Sequence, residues 1–295
     1  MKVLITGAKG QVGSCLVQRL NSRPDVDVIA YDRDELDITC AASVAEAVAK
    51  LCPDVIINAA AYTAVDKAEE EVELSYILNR DGPKHLALAA EANSCTLLHI
   101  STDYVFDGSK PFSYVESDLP NPQTVYGRSK LEGEKAVAEN CSKHIILRTA
   151  WVFGESGNNF VKTMLKLAKS RLELSVIGDQ LGGPTYAGDI ASALISIMDQ
   201  LNTGKDTSGI YHFAGEPHVS WYEFACKIFA KAKEREILDT LPMVRKITTE
   251  EYPTLAERPK NSRLDCSKIR SVFGITTSSW VTALDNIRDY EHESN

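Results

Sequence analysis

The chain has 295 residues, 44% of them hydrophobic and 25% charged, the make-up of an ordinary globular protein long enough to bury one large core or two unequal ones. Its net charge of −9 argues against an extended nucleic-acid or anionic-membrane surface and points to a small-molecule partner. No apolar run approaches the ~18 residues of a membrane span, the N-terminus meets glycine too early for a signal peptide, and the cysteines form no C-x-x-C pair and no cluster with histidine; a cytoplasmic protein without membrane contact, disulfide scaffold or zinc site is expected.

Lys2 to Thr6 reads as a short buried strand that breaks at Gly7-Ala8-Lys9-Gly10-Gln11-Val12-Gly13 before an apolar helix carrying Val17 and Leu20. Glycines let the backbone turn sharply and approach a pyrophosphate, and the helix N-terminus behind them offers free N–H groups and a partial positive charge. A second strand, Val26 to Tyr31, ends in Asp32, within about 20 residues of the glycines, where a carboxylate can accept both ribose hydroxyls of a dinucleotide. Gly7, Gly10, Gln11, Val12, Gly13 and Asp32 are therefore expected to hold a nicotinamide dinucleotide, with Asp37 and Ile38 contributing next. Arg33 could take a 2′-phosphate, so NADPH and NADH both stay open.

A helix from Ala41 to Leu51 and a strand from Asp54 to Ile57 lead to Asn58-Ala59-Ala60-Ala61-Tyr62, where small residues let a cofactor lie against the backbone and Asn58 can brace the turn. Ala60, Ala61 and Tyr62 join the expected cofactor contacts. The charge run Asp66 to Glu71 reads as a solvated helix start. After an apolar helix through Leu86 to Ala89, the strand Thr96 to Ile100 delivers Ser101-Thr102-Asp103-Tyr104-Val105-Phe106 at its C-terminal end, where ligands sit in open parallel sheets. His99 on that strand reads as a core residue.

Tyr126 and Lys130 are four apart and share one helix face, so both can point at one reacting centre. A fixed ammonium is expected to draw the phenol's pKa down from about 10 toward working pH. Taken alone, the pair fits a solvated helix face, which the polar Glu132, Glu134 and Lys135 would continue. Behind a dinucleotide fingerprint and a Thr–Asp strand end, it forms a reductase site instead.

Further on, helical periodicity covers Phe160 to Leu172, a strand covers Leu174 to Ile177, and a glycine-rich loop runs from Gly178 to Pro184. Asp189 opens a helix that returns to the nucleotide-binding layer, and Gly209 to Phe213 is expected as a late strand of the same sheet. The chain turns helical again from Ser220-Trp221 and then becomes loop-rich, with Pro242, Pro253 and Pro259. Arg258 and Arg263 offer guanidinium forks for a diphosphate. The expected fold is α/β: a Rossmann-type doubly wound parallel sheet over residues 1–152, with a returning segment near 185–215 and a smaller C-terminal substrate-binding lobe from 153–184 and 216–295.

The motifs Gly7-x-x-Gly10-x-x-Gly13, Ser101-Thr102-Asp103-Tyr104-Val105-Phe106 and Tyr126-x-x-x-Lys130 resemble those of the extended short-chain dehydrogenase/reductases. Ala59 to Glu69, Arg148-Thr149-Ala150-Trp151-Val152-Phe153, Gly157-Asn158-Asn159-Phe160 and Arg258-Pro259-x-Asn261-Ser262-Arg263-Leu264 narrow the resemblance to the dTDP-4-dehydrorhamnose reductase family over nearly the whole chain. The resemblance implies reduction of the C4 keto group of a dTDP-4-dehydro-6-deoxy sugar in dTDP-rhamnose biosynthesis for cell-surface polysaccharide. It assigns Tyr126 as proton donor, Lys130 as its partner and ribose anchor, and Thr102 as the hydroxyl at the C4 oxygen. Asp103, Trp151, Asn159, Arg258 and Arg263 fall at substrate-contacting positions. Members that dimerise around magnesium use glutamates where this chain has Cys15 and Gly188, neither of which offers a hard side-chain oxygen. No metal is carried over, and a homodimer by another route stays open. A non-catalytic NAD(P)-binding regulatory subunit shares the fold but does not need Thr102, Tyr126 and Lys130 together. A nucleotide-sugar epimerase or dehydratase is the enzymatic alternative, although a dehydratase would want Glu where this chain has Tyr104.

Overall fold

The computed structural model describes residues 1–203 and 207–291. Residues 204–206 and 292–295 of the expected returning segment and lobe lie outside the described residues. In chain order the first half contains β1 (Lys2–Thr6), α1 (Gln11–Asn21), β2 (Asp27–Tyr31), α2 (Ala41–Leu51), β3 (Val55–Asn58), α3 (Val65–Ala68), α4 (Val72–Tyr76), α5 (Gly82–Ala92), β4 (Thr96–Thr102), α6 (Val125–Asn140) and β5 (His144–Thr149). The second half contains β6 (Val152–Phe153), α7 (Phe160–Ala168), β7 (Glu173–Ile177), β8 (Leu181–Gly182), β9 (Thr185–Tyr186), α8 (Ala187–Asn202), β10 (Gly209–His212), β11 (Val219–Ser220), α9 (Trp221–Glu234), β12 (Met243–Ile247), α10 (Ser267–Phe273) and α11 (Trp280–Ala283).

Six strands form one parallel sheet in the order β10-β5-β4-β3-β1-β2. Strands buried on both faces read as continuous apolar runs, and β1, β3 and β5 do so through Val3-Leu4-Ile5, Val55-Ile56-Ile57 and Ile145-Ile146-Leu147. The order reverses between β1 and β3, so a crevice opens beyond their C-terminal ends, beside Gly7 and Ala59. One core packs α1 and α8 on one side of the sheet, and a second packs α2, α5 and part of α6 on the other.

A third core fills the smaller body, where Phe153, Leu165, Phe224, Phe229, Trp280 and Leu284 pack together. The register of β12 against β7 is parallel, Met243 opposite Glu173 through Ile247 opposite Ile177. The loop-rich reading of residues after 242 missed this strand, because Arg245 and Lys246 on its exposed edge mask the apolar alternation. Leu264, Cys266, Ile269 and Phe273 pack into the core of the large sheet, although they follow the lobe in sequence. Helix α7 ends at Ala168, short of the expected Leu172.

Candidate active site

The glycine turn after β1 is a tight cradle. Gly7 has φ +71°, and a Cβ there would lie 2.6 Å from the Ala60 amide nitrogen; a Cβ on Gly13 would collide with the Gly7 carbonyl. Gly10 caps α1 without any side chain, so no side-chain oxygen blocks the first-turn amides of Gln11, Val12 and Gly13. Asn58 braces the facing turn: its Oδ1 accepts from Thr6 Oγ1 at 2.8 Å and from the Ala60 amide at 3.1 Å. Asp32 follows β2 at the crevice rim, 3.8 Å from the Lys9 ammonium, with Arg33 exposed beside it. Asp37 accepts from the Thr39 amide and hydroxyl, and Ile38 packs against Gly82. Tyr62 is held by Asn79, which accepts from its amide at 2.8 Å and donates to its carbonyl at 3.0 Å. These groups fit a dinucleotide: a small-residue cradle, free helix amides and a carboxylate at the end of the second strand.

The end of β4 and the start of α6 carry the titratable groups. Thr124 caps α6 by accepting from the Gly127 amide at 3.0 Å, which sets the rotation that turns Tyr126 and Lys130 toward β4. The Thr102 hydroxyl donates to Asp103 Oδ1 at 3.0 Å and accepts from the Tyr104 amide at 3.2 Å. Burial pushes the Tyr126 phenol up to about 12, opposed by a hydrogen bond with Thr102 and reinforced by the nearby Asp103. Burial likewise brings Lys130 down to about 8 against the pull of Glu134, and its ammonium donates to the Ile100 carbonyl at 2.7 Å. The expected depression of the phenol pKa by Lys130 is therefore not found. The ammonium is turned toward a backbone carbonyl, and desolvation of the phenolate dominates. A phenol kept protonated is the right starting state for donating a proton.

Asp103 is buried with Oδ2 unpartnered, and burial raises its carboxyl to about 6. His99 is a core residue: it is fully buried, its Nδ1 lies 3.0 Å from Asn58 Nδ2, and burial holds its pKa well below the ordinary value. Glu134 is not on a solvated face; it is buried and paired with Arg148 at 2.6 Å. The charge run after residue 65 is also not wholly solvated. Asp66 takes Arg258 at 2.5 Å, and Glu69 Oε1 accepts from the Val125 amide at the start of α6.

A cavity of about 730 Å³ opens between the sheet and the smaller body, within the range of small-molecule sites. Tyr104, Phe160, Met164, Val176, Trp221 and Arg258 are among its lining residues. Tyr104 meets Tyr126 edge to face with centroids 5.4 Å apart, which joins the cavity wall to the phenol. Trp151, at φ +48°, lies flat on Trp221 with centroids 3.5 Å apart. A left-handed conformation in a non-glycine residue costs on the order of 1–3 kcal/mol and clusters at ligand sites. A Cβ on Gly182 would strike the Trp151 ring, so the glycine leaves room for it.

Arg258 lines the cavity, and its Nη1 is buried with no partner. Arg263 does not join it: Nε donates to Asn261 Oδ1 at 2.7 Å and Nη2 to the Pro111 carbonyl at 2.6 Å. The guanidinium is spent on the fold. Asn159 caps α7 through the Lys162 amide and donates to Gly154 O and Gln11 Oε1, so it ties the smaller body to the glycine turn. Sequence reasoning passed over Trp221, although Ser220 and Glu223 form a capping box around it that fixes a helix start there. Among the described residues, no group of three or more His, Cys, Asp or Glu is arranged to hold a metal ion. Cys15 is buried, and a Cβ at Gly188 would crowd Tyr186 and Arg19.

Residues 1–292 match the family model described as the RmlD substrate binding domain. A dTDP-4-dehydrorhamnose reductase of Aggregatibacter actinomycetemcomitans is 53% identical over 290 residues, covering 98% of this chain and 99% of the relative. The solved dTDP-4-dehydrorhamnose reductase of Clostridium acetobutylicum superposes with a TM-score of 0.91 at 42% identity, covering 98% of this chain and 99% of its own. That of Bacillus anthracis, solved in complex with NADP, superposes with a TM-score of 0.88 at 39% identity, covering 97% and 98%.

Proposed function

The chain belongs to the RmlD family of dTDP-4-dehydrorhamnose reductases, and from that premise we propose how its residues serve the reaction. It reduces the C4 keto group of dTDP-4-dehydro-6-deoxy-L-mannose (dTDP-4-dehydro-β-L-rhamnose) to dTDP-L-rhamnose with NADPH or NADH, in dTDP-rhamnose biosynthesis for cell-surface polysaccharide. The observation that carries the reading is the convergence of Thr102, Tyr126 and Lys130 at the mouth of β4, between the glycine cradle and the cavity.

The reduced nicotinamide supplies a hydride to C4. In this reading Gly7, Gly10 and the first-turn amides of α1 hold the pyrophosphate, Asp32 holds the adenosine ribose, and Ala60, Ala61 and Tyr62 form the wall behind it. Lys130 has three donors, one committed to Ile100, and turns the rest to the nicotinamide ribose. The Thr102 hydroxyl and the Tyr126 phenol meet the C4 oxygen as negative charge develops on it, and Tyr126 gives up its proton there. The phenolate left behind is stabilised by the Lys130 ammonium one helical turn away. Trp151 and Trp221 supply flat apolar surface for the hexose, Asp103 accepts from its hydroxyls, and Arg258 reaches the diphosphate. Incubation with NADPH and the keto sugar tests the reading: one cofactor is oxidised per sugar reduced. Sugar conversion without net oxidation, as in an epimerase, or binding without turnover, as in a regulatory subunit, would overturn it.

Arg258→Met should raise the KM for the keto sugar about 10- to 100-fold with little change in kcat, the loss of one charge-assisted hydrogen bond worth roughly 1.5–3 kcal/mol. Steady-state kinetics on the variant measure this directly.

We further propose that neither turnover nor a homodimer, the assembly suggested by the family, depends on magnesium. Cys15 and Gly188 offer no carboxylate, and the oxyanion is met by Thr102 and the phenol rather than by a Lewis acid. Excess EDTA should leave both the rate and the size-exclusion profile unchanged; activity lost to chelator and restored by magnesium would contradict this. We place the protein in the cytoplasm. Its seven cysteines are free, as a reducing compartment keeps them.

A further inference from the structure

Three consecutive residues of β4 each meet one residue of α6 at four-residue spacing. The Ile100 carbonyl accepts from Lys130 at 2.7 Å, the Ser101 hydroxyl donates to Glu134 Oε1 at 2.5 Å, and Thr102 lies near enough to Tyr126 to oppose the rise of its pKa. From β5, Arg148 closes a fork on the same carboxylate, Nε to Oε1 at 2.8 Å and Nη2 to Oε2 at 2.6 Å. Both side chains of this ion pair are at most 2% exposed. A buried pair is a weak source of stability, because desolvation offsets much of its attraction and an apolar pair of the same volume often serves as well. Its site, one helical turn behind Lys130 on the working face, gives it another use.

We propose that Glu134, held by Arg148 and Ser101, is a positioning residue for the reduction: it fixes the register of the Tyr126–Lys130 face against β4 and sets a compensating negative charge beside the Lys130 ammonium. The proposal rests on Lys130 acting in the site. The charged and titratable groups that act on Lys130 are His99 from β4, kept neutral by burial and by Lys130 itself, and Glu134 from α6, with Tyr126 one turn before it on the same helix face. Arg148 from β5 is bound to Glu134, and Asp103 lies beyond Thr102. Of these, Glu134 supports the charged form of Lys130 against desolvation.

The wild-type rate should fall as pH rises through about 8, where Lys130 loses its proton. In the double variant E134Q/R148M both members of the buried pair are gone, so neither leaves the other unpaired, and Lys130 keeps its bond to the Ile100 carbonyl and can shed its proton; the fold should survive. Its alkaline limb should move down by about one pH unit or more, since a neighbouring opposite charge shifts a pKa by about that much. Its thermal midpoint should stay near that of the wild type. E134D keeps the charge but withdraws it by one methylene, so its kcat should fall while its limb stays closer to the wild-type position. A folded double variant with the wild-type limb would overturn the proposal. If the double variant does not fold, wild-type kcat and limb in E134D would overturn it instead. K130M is run beside them: full activity there would sink the reading of Lys130 itself. An inactive K130M with an unmoved limb in E134Q/R148M would sink only the role of Glu134.

Discussion

Replacing Tyr126 with phenylalanine should lower kcat by about 10²- to 10⁴-fold, the usual range for losing a positioned general acid, or roughly 3–5 kcal/mol of barrier. In the proposed mechanism the phenol gives its proton to the C4 oxygen, and its raised pKa of about 12 means that it enters each turnover protonated. The substitution removes one oxygen and keeps the ring, so the edge-to-face contact with Tyr104 survives and the fold should not move. NADPH affinity, measured by fluorescence titration, should match wild type, because the dinucleotide contacts lie on the glycine turn and on Lys130. A Phe variant that turns over at the wild-type rate would remove Tyr126 from the chemistry.

Lys130→Met is expected to damage turnover and cofactor binding together. The buried ammonium has one donor on the Ile100 carbonyl, the proposed mechanism gives the other two to the nicotinamide ribose, and methionine fills a similar volume with none. The loss of ribose hydrogen bonds should weaken NADPH binding about tenfold or more, at roughly 1.5–3 kcal/mol for a bond to a charged donor. Turnover should fall further, because the Tyr126 phenolate formed during reaction then has no cation nearby. Cofactor titration against kcat separates the two effects: wild-type NADPH affinity in Lys130→Met would remove the anchoring role and leave only the electrostatic one.

Much of this was legible in the residues because local chemistry dictates it. The apolar run Lys2–Thr6, the glycine turn and the acid after β2 specify a strand, a sharp turn and a carboxylate at the crevice rim from short-range physics alone. Tyr126 and Lys130 declare a shared helix face by their spacing. What the sequence does not display is the partner that arrives from far along the chain. Glu134 looked solvated because nothing near it in sequence announces Arg148 on β5. Asp66 looked like a helix-start acid because its partner Arg258 lies 192 residues away. Arg263 offered the same fork as Arg258, yet tertiary contacts with Asn261 and Pro111 occupy it. The direction of the Tyr126 shift is hidden for the same reason: the depth of burial is a property of the packed site, and it outweighs the interaction with Thr102 that opposes it.

The proposed reduction is a direct hydride transfer from the nicotinamide to C4 of the sugar with the proton from Tyr126. The most direct measurement supplies NADPH deuterated at the transferring position of the nicotinamide, incubates it with dTDP-4-dehydro-6-deoxy-L-mannose and this protein, and reads the product by proton NMR. One deuterium at C4 of dTDP-L-rhamnose, with stoichiometric NADP⁺, is the expected result. Product carrying hydrogen at C4, or deuterium at another ring carbon, would contradict it.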